Sequence, residues 1–381
     1  MNEVVEQIAV RRSPLAGVHE QLGATMVERE GWLLPESYGD AAAEYSVVRE
    51  GGAGLIDFSS RGRVRVSGTE AVQFLNGLIT NDVKALAEGA WMTAAFPNVQ
   101  GRLVAAARVL HLGDCFLFDT EAATRESVFK TLERFTLAGD FRVADVTDEL
   151  ITLSLQGARA AEIIAITLGS EAASVERGRI CTPRWREHSV SIIRATHTSE
   201  DGFDLFVNAE HAPALFEALL AAGARAIGFA ALEILRIEAG LPRHGIDMDE
   251  TNVVLETGLD EAVSYTKGCY VGQEIIARIH WRGHVAKRLA GLLFEDGREA
   301  TRESKVRSTD GKEIGRLTST AFSPRLNKPI ALGLIKYDYL APGTQVRVAA
   351  GEEDKRAAQV VELPFVRGSW FAETNEAETQ R

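Results

Sequence analysis

A chain of 381 residues with 45% hydrophobic content carries enough apolar side chains for a large core and more than one domain. Its net charge of −12 excludes a protein that coats nucleic acid nonspecifically. Three widely separated cysteines, Cys115, Cys181 and Cys269, exclude a disulfide framework or a self-contained zinc site, and no apolar run approaches the ~20 residues that cross a bilayer. The first ten residues carry acids where a secretory leader carries bases. A soluble, cytoplasmic protein is expected, with no stable complex with nucleic acid or membrane.

Glycine and proline punctuate residues 1–45 too often for a long helix, so this stretch reads as an arm packed on the rest. Residues 41–50 have a helical pattern, and 63–67 alternate as a strand. Thr69 reads as the N-cap of a helix over 70–78. Strands follow at 91–96, 102–110 and 115–119, then a helix at 124–135 and a strand at 141–146. The order recurs: a strand at 150–156, a helix at 158–168, and strands at 190–196 and 203–207 joined by an Asp201-Gly202 hairpin turn. Helices at 209–222 and 229–238 complete the second run. Two such runs without a Rossmann glycine fingerprint predict an α+β fold built of two units, spanning 46–287, and not a doubly wound sheet. From 288 to 372 short apolar strands, at 289–294, 314–318, 330–335, 345–349 and 359–363, alternate with Gly and Pro turns, which predicts a C-terminal antiparallel β-barrel. Residues 373–381 are a polar, flexible tail.

The run Tyr265-Thr266-Lys267-Gly268-Cys269-Tyr270-Val271-Gly272-Gln273-Glu274 holds the most distinctive chemistry. A thiol just before a helix N-terminus, with an ammonium two residues away, is biased toward the thiolate. Cys269 is therefore the candidate nucleophile or soft ligand and Lys267 its activator; the plain alternative is a buried, inert thiol beside a solvated lysine. Downstream, Arg278, His280, Arg282, His284, Lys287 and Arg288 form the densest basic cluster. It reads as solvated charge between two domains, or as a face for phosphate, polyglutamyl tails or RNA. His280 and His284 would share a helix face, but Gly283 argues against a helix continuing between them, and no metal site is expected.

The Lys-Gly-Cys-Tyr-x-Gly-Gln-Glu run resembles that of the YgfZ proteins, folate-binding relatives of the glycine cleavage T-protein (aminomethyltransferase). Four further segments resemble that superfamily in the same order: Gly31-Trp32 with Pro35 and Tyr38; Glu44 and Arg49; the run from Gly54 to Ser59; and Leu235-Arg236-Ile237-Glu238-Ala239-Gly240. The resemblance implies a three-domain ring of two α+β units and a barrel around a channel that holds tetrahydrofolate. It implies that Glu200, in His197-Thr198-Ser199-Glu200-Asp201-Gly202, grips the pterin, since a carboxylate accepts two parallel N–H bonds. It also implies that Arg236 helps hold the site. Ser199 stands in place of a glycine and His197 in place of a tyrosine. An aspartate pair of the T-proteins is replaced by Ala105 and Ala106, which cannot accept a proton. The YgfZ resemblance implies a role in iron–sulfur cluster assembly or repair, and through cluster enzymes in tRNA modification. Its partners would be folate and iron–sulfur proteins or their assembly machinery. A tetrahydrofolate-dependent aminomethyltransferase or demethylase is the alternative, and a non-catalytic folate-sensing adaptor the third possibility.

Overall fold

A computed structural model of the chain describes residues 10–137, 139–298, 300–349 and 355–372. The tail expected over 373–381 and the first nine residues of the arm lie outside them. No helix among the described residues is long and apolar enough to cross a membrane.

Two antiparallel-based sheets and a barrel make up the frame. The first sheet has five strands, in the order Trp91–Pro97, Leu103–Leu112, Cys115–Thr120, Gly62–Ser67, Arg142–Asp145. The second has six, in the order Ile180–Cys181, Ser191–Arg194, Gly202–Asn208, Leu150–Gln156, Gly54–Asp57, Arg225–Ala226. Each sheet buries one face under its own helices. Val64, Val66, Phe118 and Val109 pack beneath helices Ala71–Leu78 and Arg125–Glu133. Leu153, Leu155, Leu205 and Val207 pack beneath Ala160–Leu168 and Ala212–Ala221. The opposite faces meet through Leu110, Leu117, Val146, Ile193 and Phe206, so the central strands are apolar on both sides. Full burial of each such side chain stabilises the fold by roughly 1.5–3 kcal/mol.

The two units are not sequential. Strand Gly54–Asp57 pairs with Leu150–Gln156 in the second sheet, while Gly62–Ser67, five residues on, lies in the first. The chain crosses between sheets at residues 58–61. Arg63, fully buried, clamps this crossing: its guanidinium donates to the carbonyls of Phe58 (3.1 Å), Ser59 (2.7 Å) and Thr147 (3.0 Å). Burial pushes the Arg63 guanidinium down to about 10.

The arm forms a small three-stranded sheet, Arg11–Arg12, Trp32–Ser37 and Thr25–Arg29, with helix Ala16–Gln21. Asp57 ties it to the second sheet, accepting from Ser13 Oγ (2.5 Å) and meeting His19 Nε2 at 2.9 Å, while Tyr38 Oη lies 2.7 Å from His19 Nδ1. Burial would raise the Asp57 carboxyl, yet its bonds with His19, Ser13 and Ser59 hold it below the ordinary carboxylate range.

The barrel closes from six strands, Lys287–Phe294, Lys328–Lys336, Glu313–Ser323, Lys305–Ser308, Gln345–Ala349 and Lys355–Val361. It joins the rest through helix Phe229–Glu238, whose Ile237 packs among Leu289, Ile330, Leu332 and Leu334. Three local expectations change. Thr69 caps nothing; its N–H and hydroxyl both donate to Asp140, and the helix starts at Ala71 without a side-chain cap. Strand Lys305–Ser308 is additional. Asp201-Gly202 is no two-residue turn, because Arg194 already pairs with Phe203 and residues 195–201 leave the sheet as a loop.

Candidate functional site

A cavity of about 360 Å³ opens where the chain crosses between the sheets. Phe58, Ser60 and Arg61 of the crossing line it. So do Glu121 after strand Cys115–Thr120, His197 of the 195–201 loop, Phe229, Leu232, Glu233 and Arg236 of one helix, and Arg243 of the loop beyond. Phe58 and Phe229, with ring centroids 6.4 Å apart, and Leu232 supply apolar wall. Arg29 and Glu30 come from the arm.

Behind the polar end runs a chain of buried charges. Arg61 Nε donates to Asp119 Oδ1 at 2.9 Å, and Arg108 bonds Asp204. Asp119 and Asp204 are fully buried. Arg108 Nη2 lies 3.0 Å from His197 Nε2, which is also 2.9 Å from Asp204 Oδ2. One tautomer cannot serve both: a bare Nε2 accepts from Arg108, whereas Nε2–H donates to Asp204. Burial holds His197 below its ordinary range despite the pull of Asp204, so the ring is neutral near pH 7. Burial opposes ionisation of Asp204 as well, but His197 and Arg108 hold that carboxyl well below the carboxylate range.

Buried Gln156 shapes the loop that carries His197. Its Nε2 donates to Ala195 O at 3.0 Å, and its Oε1 accepts the N–H of His197 at 2.8 Å. Ser199, where the resemblance has glycine, adopts a left-handed φ of 71°.

The four residues singled out from sequence are not gathered at one point. Arg236 lines the cavity, but its five N–H donors are all engaged: Glu233 twice, Leu241 O, Asp247 and Ser319. It shapes the wall and offers no free donor. Glu200 sits on the His197 loop yet is absent from the cavity wall. Its Oε1 accepts from Arg49 Nη1 at 2.9 Å, and its Oε2 from the N–H and hydroxyl of Ser369. Lys267 is buried, and its Nζ donates to the carbonyls of Ile79 (2.8 Å) and Asn81 (2.7 Å). Cys269 is exposed; neither it nor Lys267 lines the cavity.

The glycine of that run has a packing reason. Gly272, at φ +76°, starts helix Gln273–Arg282, and a Cβ there would meet Asn98 O at 2.4 Å. The helix ends at Arg282, so His280 and His284 share no helical face; His280 stacks on Tyr265 and His284 on Tyr337. Among the described residues no group of three or more His, Cys, Asp or Glu could hold a metal ion. Sequence reasoning passed over Glu121, Arg61, Arg108 and Gln156. The available signal was charge or amide inside otherwise apolar strands, or at their ends.

The strand Leu103–Leu112, which lacks the aspartate pair, carries no carboxylate at all. Ala105 is fully buried in the first core, and Ala106 lies half-buried on the other face.

Two family models match in tandem: the GCVT N-terminal domain over residues 15–267 and the glycine cleavage T-protein C-terminal barrel domain over 287–367. The chain is 33% identical over 360 residues to an aminomethyltransferase of Rubrobacter xylanophilus, covering 94% of this chain and 95% of that one. It is 33% identical over 374 residues to that of Geobacillus kaustophilus, covering 94% and 99%. The solved glycine cleavage system aminomethyltransferase T of Bartonella henselae superposes with a TM-score of 0.85 at 26% identity, covering 94% and 99%. With both its two-sheet region and its barrel matched end to end, the chain belongs to the glycine cleavage T-protein family.

Proposed function

We propose that this protein carries out tetrahydrofolate-dependent one-carbon transfer of the aminomethyltransferase type, with the cavity at the sheet crossing as its reaction chamber. The family uses tetrahydrofolate. One observation carries the proposal: the cavity pairs apolar walls at Phe58, Phe229 and Leu232 with a polar end of His197, Arg61 and Glu121. Its volume lies within the roughly 300–1,000 Å³ of small-molecule sites, and flat walls with a hydrogen-bonding end suit a reduced pteridine. In this reading Phe58 and Phe229 hold the ring system, and His197 and Arg61 meet its polar edge. Bound tetrahydrofolate supplies the amine nitrogens that accept the one-carbon unit.

The test is direct. Thermal unfolding with saturating tetrahydrofolate should shift upward, and the protein should form methylene-tetrahydrofolate from an aminomethyl donor. No shift and no product would remove the proposal.

A second reading, the YgfZ-type role in iron–sulfur cluster assembly or repair and indirectly in tRNA modification, is favoured by the exposed thiol of Cys269 in its Lys-Gly-Cys run. In it the same folate site serves cluster enzymes, and Cys269 handles a sulfur- or iron-bearing species. Loss of cluster-enzyme activity in cells carrying only Cys269→Ala, with methylene-tetrahydrofolate formation intact, would favour this role over the first.

A further inference from the structure

We propose that Glu121 is the catalytic acid–base group of this cavity, replacing the carboxylate missing from strand Leu103–Leu112. The assignment rests on the one-carbon transfer reading above and goes beyond it.

Three carboxylates line the cavity. Glu233 is bonded by Arg236 and Arg243, which hold it below the ordinary carboxylate range against the opposing effect of burial. Glu30 is exposed and keeps its water. Glu121 differs from both. Its Oε2 accepts one backbone bond, from the N–H of His244 at 3.1 Å, and its Oε1 has no hydrogen-bond partner among the described residues. No cation of the described residues forms an ion pair with it, and one oxygen is free to meet a bound amine.

The charges facing Glu121 come from every side of the cavity: Arg61 on the crossing, Arg243 on the loop after the helix, and Glu30 on the arm. Arg61 is itself occupied by Asp119 and Arg243 by Glu233, so their pull on Glu121 is divided. Burial prevails and brings the Glu121 carboxyl up to about 7, where both protonation states are populated at neutral pH. That is the value at which one group can both accept and return a proton.

The proton balance of aminomethyl transfer needs such a group. Methylene-tetrahydrofolate holds two new carbon–nitrogen bonds, each made with the lone pair of a folate amine that sheds one proton. Two bonds of the donor carbon break, one to the departing amine and one to the donor's carrier group, and each leaving group keeps the electron pair and gains one proton. Glu121 carries a proton from the first accepting nitrogen to the departing amine, then one from the second to the carrier group, and ends as it began; nothing is oxidised or reduced. Neither Ala105 nor Ala106 can do this.

The experiment compares wild type, Glu121→Gln and Glu121→Asp with tetrahydrofolate and an aminomethyl donor. Glu121→Gln should keep its ligand-induced thermal shift and lose between about 10²- and 10⁴-fold in kcat, along with the pH limb near 7. Glu121→Asp should recover part of the rate. Independently of activity, infrared difference spectra of the ligand-free protein should show a protonated carboxyl band titrating near neutral pH, absent from Glu121→Gln. If wild type transfers and Glu121→Gln keeps its rate within a few-fold, the assignment is overturned while the reading stands. If wild type forms no product, both fall together.

Discussion

Glu200 and Ser369 lie 169 positions apart, and both donors of Ser369, its N–H at 2.8 Å and its hydroxyl at 2.7 Å, end on one oxygen of the Glu200 carboxylate. The approach is close: a Cβ on Gly368 would meet the other oxygen at 2.4 Å. Trp370 adds a backbone bond to Ser199 O at 3.2 Å and lies 3.8 Å beneath the Arg177 guanidinium. The segment after the barrel is thus latched onto the loop that carries His197.

Ser369→Ala removes one bond to a charged acceptor, worth about 1.5–3 kcal/mol. If Glu200 also serves as the pterin carboxylate, freeing an acceptor site should tighten tetrahydrofolate binding in this variant. Calorimetric titration measures it; unchanged affinity would leave Glu200 as the anchor of the latch alone. Glu200→Ala leaves Arg49 with a single carboxylate partner, Glu238, which still compensates its charge, and should cost about 1.5–3 kcal/mol in denaturant unfolding.

Asp57 should be the acid-sensitive joint between arm and core. Its carboxyl is held low in the folded state, so its contribution is complete above the ordinary aspartate range and is lost as pH falls through the folded value. Asp57→Asn removes that contribution while keeping the shape. In Tm measured against pH, the variant should lie below wild type at neutrality and converge on it in acid. Parallel curves would exclude the linkage.

The fold was largely legible because most elements are amphipathic in a simple period. Helix Ala41–Arg49 starts where Asp40 caps it, accepting from Ala42 N at 3.0 Å, and helix Phe229–Glu238 has the expected bounds. Lys305–Ser308 was missed because only Val306 and Ser308 are buried there, and its two cations conceal the alternation. The crossing at 58–61 was invisible for a different reason: local periodicity identifies a strand but not its partner. Asp201-Gly202 has the chemistry of a hairpin turn, yet Gln156 and Ser369 pin the preceding residues into a longer loop. Glu121 reads locally as an ordinary acid before a helix, since nothing in the sequence tells that Arg61 and Arg243 are spent on other carboxylates.

The three thiols should react in a fixed order. Cys269 is exposed, whereas burial raises the thiols of Cys115 and Cys181, with Asp114 adding to the first and Glu171 to the second. Alkylation of the native protein at pH 7–8, followed by peptide mass mapping, should label Cys269 first, with the others catching up as pH rises. Faster labelling of Cys115 or Cys181 would contradict this placement. Because Lys267 spends its ammonium on two carbonyls, Lys267→Met should change the Cys269 rate by less than about threefold, little beside the tenfold that one unit of thiol pKa represents.

Lys267 offers a test at alkaline pH. Burial pushes its ammonium down to about 8, against roughly 10.4 in an unfolded chain. Between those values the unfolded chain binds more protons, so this group's contribution to stability rises with pH and is complete only above the unfolded value. The bonds to Ile79 O and Asn81 O oppose that liability by holding the charged form in place. Lys267→Met abolishes the titration and leaves both carbonyls without the lysine donor. The difference in Tm between wild type and Lys267→Met should therefore widen in favour of wild type from pH 8 to pH 10. A difference that stays flat across this interval would mean that the two carbonyls compensate the buried charge completely.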